Sequence, residues 1–354
     1  MIRVAVVAHF LSANLGDRYQ GTGIADRILS SISGVVVDRI NSHPFESDIE
    51  SNMTVNLTSE PLEILNPDKI DFSSYDYAVM PTGSIANDSL FVEHGLKILN
   101  STRLKHLFIW GGFHDIIDSQ NIFQPTDHLK NIFNDTRTYF YARGWIELSI
   151  YHMLVGGGRG TCGGDPVLLN KFLPHRKFSP TMDSHATLIL SGHACSNMSE
   201  IEIDRISNLV SVFPRICIIE GAEDNVLLQK LNINKVCNAN TLSKYAAVAH
   251  SSSIIVTQRL HGLAFAKAVS ACLPVIIIPP KNDRCNFKYH SVADSAIGFR
   301  LGVSHIRYNF TADDALKVIK KPNSYLRREH EVNFVHYINL TEDTFQKILV
   351  QIKS

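Results

Sequence analysis

The chain has no excess of either charge: Lys and Arg number 34, Asp and Glu number 34. A generic polyanion binder needs a surplus of basic residues, so that role is excluded, while a local basic pocket is not. The six cysteines (Cys162, Cys195, Cys217, Cys237, Cys272, Cys285) contain no C-x-x-C pair. That excludes the common zinc and disulfide frameworks and points to reduced thiols in a cytoplasmic protein. Long apolar runs are missing too. Val4–Ala8, the longest near the start, is too short to cross a bilayer and lacks the layout of a signal peptide. No H-E-x-x-H, G-x-S-x-G or metal-spaced carboxylate pair occurs. The glycine run at residues 156–164 lacks the Gly-Lys-Ser/Thr ending of a P-loop and reads as a hinge or lid. Gly21-Thr22-Gly23 begins a dinucleotide fingerprint, but Asp26 stands where the third glycine belongs.

What is present is a globular composition, 45% hydrophobic and 19% charged, over 354 residues. That length fits two domains. Short apolar runs bounded by Gly, Pro or Asp predict strands at Ile2–Ala8, Tyr77–Met80, Leu107–Trp110 and Tyr139–Tyr141. Residues 41–70 carry little pattern and read as loops with a short element at most. A polar stretch from Lys171 to Asp183 reads as the linker. Beyond it the alternation restarts, with strands at Thr187–Leu190, Ile216–Ile219, Ile254–Thr257 and Pro274–Ile278. The helices between them are Ala222–Leu231, Leu242–His250, Leu260–Ser270 and one opened by a Ser199/Glu202 capping box. Thr341–Ile352 predicts a terminal helix docked on the body, packing back on the N-terminal domain. Strands apolar throughout, separated by helices, indicate parallel sheets covered on both faces. The expectation is two Rossmann-like doubly wound domains, 1–175 and 176–354, with a ligand cleft between them and the chemistry in loops just after strands.

Four such loops stand out. Thr257-Gln258-Arg259-Leu260-His261-Gly262 follows a strand and opens a helix, so helix amides and a guanidinium could hold an anion there. His261 adds a group that exchanges protons near neutral pH. Asn14-Leu15-Gly16-Asp17 follows the first strand. Asp17 can accept from sugar hydroxyls, or simply cap the next helix. Thr82-Gly83-Ser84-Ile85-Ala86-Asn87-Asp88 carries a glycine turn and a carboxylate. Ala142-Arg143-Gly144 places a second arginine at a strand end. Two arginines sharing one site would suit a small dianion or trianion.

In this order the segments resemble the polysaccharide pyruvyl transferase family. The matching elements are Asn14-Leu15-Gly16-Asp17, the Gly83 to Asp88 turn, and Arg143 followed by Ser149 and Asp165-Pro166. The most specific is Arg259-Leu260-His261-Gly262 with its small-residue helix and Pro274-led strand. The family's lysine after that strand falls on Lys281 or Lys288, the latter favoured by Ala296-Ile297-Gly298. Departures are Thr82-Gly83-Ser84 in place of three glycines, and Gln258 where a small residue is usual. The resemblance spans roughly residues 3 to 300. It implies a GT-B-like pair of domains and a cytoplasmic enzyme of polysaccharide biosynthesis, peripheral at the inner membrane face at most, with an oligomer allowed. The implied reaction moves the pyruvyl group of phosphoenolpyruvate onto a sugar or lipid-linked oligosaccharide as a ketal, with no metal, cofactor or nucleic acid. On this reading Arg259, Arg143, Leu260, Gly262 and Lys288 hold the donor, and His261 is the general acid–base. Asp88 or Asp17 acts as base or orients the acceptor, and Asn14 and Ser84 bind it. The alternative is a GT-B glycosyltransferase with a nucleotide-sugar donor.

Overall fold

The computed structural model describes residues 1–12, 14–45, 52–55, 61–83, 89–112, 125–156, 158–170, 184–192, 198–219, 222–280, 287–293 and 303–354. The chain divides into two compact units. The first comprises Met1–Ser12, Gly16–Lys171 and Ile338–Ser354, and the second mainly Phe172–Tyr337. The Lys171 to Asp183 linker lies outside the described residues.

The first unit is built on β1 (Arg3–Ala8), β2 (Val36–Asn41), β3 (Asn52–Val55), β4 (Leu62–Leu65), β5 (Tyr77–Thr82), β6 (His106–Gly111), β7 (Thr138–Ala142) and β8 (Gly160–Cys162). They form one sheet in the order β3-β4-β2-β1-β5-β6-β7-β8. Every pairing is parallel except β3 with β4. Helices α1 (Leu15–Ser31), α2 (Ser89–Leu99), α3 (Asp127–Asn134) and α4 (Trp145–Val155) return the chain between strands. Two apolar clusters cover the two faces of the sheet, one around Ile109 and Phe140, the other around Val6 and Phe108. Burial on both faces is why β1 and β5 read as unbroken apolar runs.

The second unit carries β9 (His185–Ile189), β10 (Arg215–Ile218), β11 (Cys237–Asn238), β12 (Ser252–Thr257), β13 (Val275–Ile277) and β14 (His305–Ile306). They form an all-parallel sheet in the order β11-β10-β9-β12-β13-β14. Its helices are α5 (Glu200–Val212), α6 (Ala222–Lys230), α7 (Leu242–His250), α8 (Leu260–Val269), α9 (Phe287–Ala293) and α10 (Ala312–Lys320). α8 is buried along its whole length. The final helix, α11 (Arg328–Lys353), begins in the second unit and from Ile338 belongs to the first. There Phe345, Ile348, Leu349 and Ile352 enter the core, and Arg27 holds Glu342 through two bonds of 2.8 and 2.6 Å.

Several expectations are corrected. Among the described residues of 41–70 there is more than one short element: β3, β4 and the end of β2 lie there. β2 escapes the apolar pattern because Val-Val-Asp-Arg-Ile-Asn carries two charged residues. Asp38 pairs with Arg3 at 2.8 Å and Arg39 with Asp26 at 2.6 Å. The glycine run is not a lid at Gly160–Cys162, which forms edge strand β8. Gly158 and Gly160 lie so close to Tyr151 that a Cβ would come within 1.7 Å of its hydroxyl and 2.4 Å of its ring. Gly21 and Gly23 lie inside α1, and a Cβ on Gly21 would come within 2.5 Å of Ala8, so close packing explains that glycine. Only half of the Ser199 capping box forms. Ser199 accepts from the Glu202 amide, while the Glu202 carboxylate takes the Arg205 guanidinium instead. The terminal helix does not start at Thr341, which lies within the 26-residue α11.

Candidate functional site

In open parallel sheets, ligands bind at the carboxyl ends of strands where the strand order reverses. The second sheet reverses between β9 and β12. The loops that leave these strands are tied together by side chains. Gln258 Oε1 accepts the Ser191 amide at 2.9 Å. Asp224, in the first turn of α6, accepts the Gly192 amide at 2.5 Å on Oδ1. The same oxygen receives Arg259 Nη2 at 2.8 Å. The Asp224 side chain is fully buried and that of Arg259 is 10% exposed. Gln258 is fully buried, and its Nε2 finds no hydrogen-bond partner among the described residues.

Arg259 is the N-cap of α8 and supplies no side-chain cap. It cannot, because a guanidinium has no acceptor. By contrast α3, α5, α7 and α10 are each capped by a Ser or Thr hydroxyl that accepts a first-turn amide. The entry into α8 is fixed in other ways. Thr257 Oγ1 accepts the Arg259 amide at 2.9 Å, and the Tyr245 hydroxyl donates to the Gly262 carbonyl at 2.5 Å. A Cβ on Gly262 would come within 2.5 Å of Thr257 Oγ1, so glycine is required there. Tyr289 donates to the Gln258 carbonyl at 2.9 Å. Leu260 and His261 occupy the first turn, both buried, with the His261 ring centroid 6.2 Å from that of Phe265. The result is a rigid helix start carrying a guanidinium, an imidazole and first-turn amides that can serve an anion.

The first sheet reverses between β1 and β5. The two strands pair only as far as Val6 with Val79. Pro81 therefore falls past the end of that ladder, where its missing N–H costs no bond to β1. Asp17, in the first turn of α1, has its carboxylate beside Gly83, 3.4 Å from where a Cβ would stand. The structure thus brings Asp17 of the Asn14–Asp17 loop beside Gly83 of the Thr82–Asp88 loop. Asn14 is half-buried just before α1. Ser84 and Asp88 lie outside the described residues, as does Lys281. Lys288 lies in α9, with its side chain outside the description.

Arg143 is not at the reversal but at the end of β7, two strands away from β5. Its Nη2 donates to Glu147 Oε1 at 2.8 Å, and the side chains are 2% and 0% exposed. Gly144 caps α4 without a side chain. Burial, with some help from nearby Glu147, pushes the Cys162 thiol up to about 12. Each arginine therefore comes with its own buried carboxylate, which balances the positive charge expected from sequence.

Sequence reasoning missed Asp224 and Glu147, both first-turn acids of helices that follow strands. It also missed a group after β1 and β2. Ser42 Oγ lies 2.7 Å from His9 Nδ1 and 3.1 Å from His43 Nδ1, and His94 Nε2 reaches the Ser42 carbonyl at 2.9 Å. A histidine directly after a buried strand was the available signal. Among the described residues no group of three or more His, Cys, Asp or Glu could hold a metal, and no helix is long and apolar enough to cross a membrane.

No protein-family model matches the sequence, and no curated protein sequence matches it. Solved structures do resemble it. Arabidopsis thaliana UGT89C1, complexed with UDP-L-rhamnose, matches with TM-score 0.55 and 10% identity over 99% of this chain and 98% of its own. The glycotransferase of kitacinnamycin matches with TM-score 0.53 and 11% identity over 99% and 98%. The glycosyltransferase SnogD from Streptomyces nogalater matches with TM-score 0.52 and 10% identity over 99% and 100%. At such identities the likeness is one of fold. Two parallel-sheet units, of eight and six strands, give this chain the GT-B-like architecture.

Proposed function

We propose that the chain is a glycosyltransferase that moves a sugar from a nucleotide-sugar donor to an acceptor hydroxyl. The observation that carries this reading is Arg259 at the N-terminus of buried α8, at the reversal of the second sheet. Leaving-group charge in such a transfer develops on a diphosphate. A guanidinium and helix amides set in place beforehand stabilise it without reorganising during reaction. The fold supports the donor class, since its structural neighbours are named as glycosyltransferases and one is complexed with UDP-L-rhamnose.

In this mechanism the Arg259 guanidinium and the α8 amides face the diphosphate, and His261 donates a proton or a hydrogen bond to it. Separately, the first sheet carries Asp17 and His9 after β1, a carboxylate and an imidazole of the kind that can take a hydroxyl proton. General-base assistance of this kind contributes about a hundred- to ten-thousand-fold.

A second reading keeps the site and changes the donor. The Arg259-Leu260-His261-Gly262 element favours phosphoenolpyruvate, whose phosphate would occupy the same helix start while pyruvate passes to the sugar as a ketal. One experiment separates the two. Thermal shifts are measured with UDP, GDP, dTDP and phosphoenolpyruvate, for the natural chain and for Arg259→Met. Stabilisation by a nucleoside diphosphate that Arg259→Met abolishes supports glycosyl transfer. Stabilisation by phosphoenolpyruvate alone supports pyruvyl transfer. Shifts that survive in Arg259→Met would sink the site.

A further inference from the structure

The second sheet ends in β11, an edge strand of two residues that pairs with β10. Cys217 of β10 stands directly opposite Cys237 of β11, in register on parallel strands. Residues so paired point to the same face, and neighbouring strands lie about 4.8 Å apart. A disulfide accepts Cα separations of about 4.4–6.8 Å, so the register meets its first demand. Its second demand is contact between the sulfurs, and the two thiols hydrogen-bond to each other. Neither cysteine is in a disulfide. They differ in access, Cys217 being fully buried and Cys237 half-buried. Burial, helped by Cys237 alongside, pushes the Cys217 thiol up, which makes it a poor target for an oxidant. Cys237, on the edge strand, is the sulfur an oxidant reaches first.

We propose that Cys217 and Cys237 form a reversible redox modification site: a peroxide oxidises Cys237, and Cys217 closes a disulfide on it. In the first step the Cys237 sulfur attacks a peroxide oxygen and the O–O bond breaks. With hydrogen peroxide, Cys237 becomes a sulfenic acid and one water leaves. In the second step the Cys217 sulfur attacks the Cys237 sulfur and the S–O bond breaks. The hydroxyl departs with the Cys217 proton as a second water. The pair of thiols gives up two electrons, which reduce one peroxide to two waters. A small thiol such as glutathione reverses the bond by exchange. The disulfide fastens β11, which otherwise pairs at two register positions, Cys217 with Cys237 and Ile218 with Asn238. It also closes the segment containing α6 into a loop and so restricts the unfolded chain. β11 leads into α7, whose Tyr245 hydroxyl holds the Gly262 carbonyl in the first turn of α8.

The test is peptide mapping by mass spectrometry of the folded full chain after stoichiometric hydrogen peroxide, with remaining thiols alkylated before unfolding. Expected is a linked Cys217–Cys237 peptide, lighter than its parts by the two thiol hydrogens and lost on treatment with dithiothreitol. The oxidised chain should melt about 5–10 °C above the reduced one. In Cys237→Ser the link and the rise in melting temperature should both vanish, with Cys217 left as a thiol. In Cys217→Ser the reaction should stop at a Cys237 sulfenic acid that dimedone captures. If serine at the buried position prevents folding, the map of the natural chain decides by itself. Cys237 driven to sulfinic acid without a link overturns the proposal, as does a link from Cys237 to another cysteine instead of Cys217. Survival of both thiols while other cysteines oxidise overturns it too. Oxidation of Cys217 in Cys237→Ser overturns the order of attack. A linked form that melts no higher than the reduced chain overturns the fastening of β11.

Discussion

Replacing Arg143 with methionine leaves Glu147 as a fully buried carboxylate stripped of the cation 2.8 Å away. At an effective dielectric of about 20 the direct attraction at that distance is about 6 kcal/mol. Measured losses on breaking such a buried pair are smaller, about 3–5 kcal/mol. For a unit of this size that corresponds to a fall in Tm of about 6–20 °C. Trp110 is fully buried, and its indole Nε1 donates to the Gly164 carbonyl at 2.8 Å. Both tryptophans, Trp110 and Trp145, belong to the first unit, so their fluorescence in a urea titration reads the unit that contains Arg143. The double variant Arg143→Met/Glu147→Leu removes both charges and fills similar volume, and it should recover most of the loss. A loss below about 1 kcal/mol in the single variant, or a double variant as damaged as the single, would refute the argument from burial. The double variant also isolates function. Folded, and lacking the guanidinium, it shows whether Arg143 helps to hold a donor, read as a change in donor affinity.

Two further predictions concern packing and pH. A Cβ on Gly111 would come within 2.0 Å of the Thr82 backbone carbonyl on the neighbouring strand, which cannot move as a side-chain tip can. Gly111→Ala should therefore lower stability by about 1–3 kcal/mol in urea denaturation, and a neutral result would contradict this packing. Lys267 is buried in α8, and burial brings its amine down to about 8 from 10.5 while Nζ donates to the Ala271 carbonyl. The folded form resists protonation, so the penalty is complete below pH 8, shrinks between pH 8 and 10.5, and vanishes above. Lys267→Met should thus stabilise the chain at pH 7 by about 2–3 kcal/mol after allowing for the lost hydrogen bond, with the advantage fading toward pH 10.5. A pH-independent difference across that range in denaturant titrations would disprove the linkage.

Much of the architecture was legible in the sequence because fully buried strands must be apolar on both faces. Val4–Ala8, Tyr77–Met80 and Ile254–Thr257 could be found from that rule, and strand–helix alternation then requires parallel sheets. The Arg259-Leu260-His261-Gly262 element was legible for a related reason: a glycine with no room for a Cβ and an arginine at a strand end stand out locally. β2 was not, since its Asp38 and Arg39 look solvated until Arg3 and Asp26 are brought beside them. The carboxylates that neutralise the two arginines were equally hidden. Glu147 and Asp224 lie in first helical turns, where acids are ordinary on electrostatic grounds alone. Composition and local pattern determined the sheets, the helices and the loops able to carry chemistry. Only the tertiary structure decided which strands lie at the reversals, and that decision sets Asp224 under Arg259, ties both to Gly192, and places Arg143 at the end of β7, away from the reversal. The reason is that strand order and burial depend on contacts between residues far apart in the chain, which no local pattern encodes.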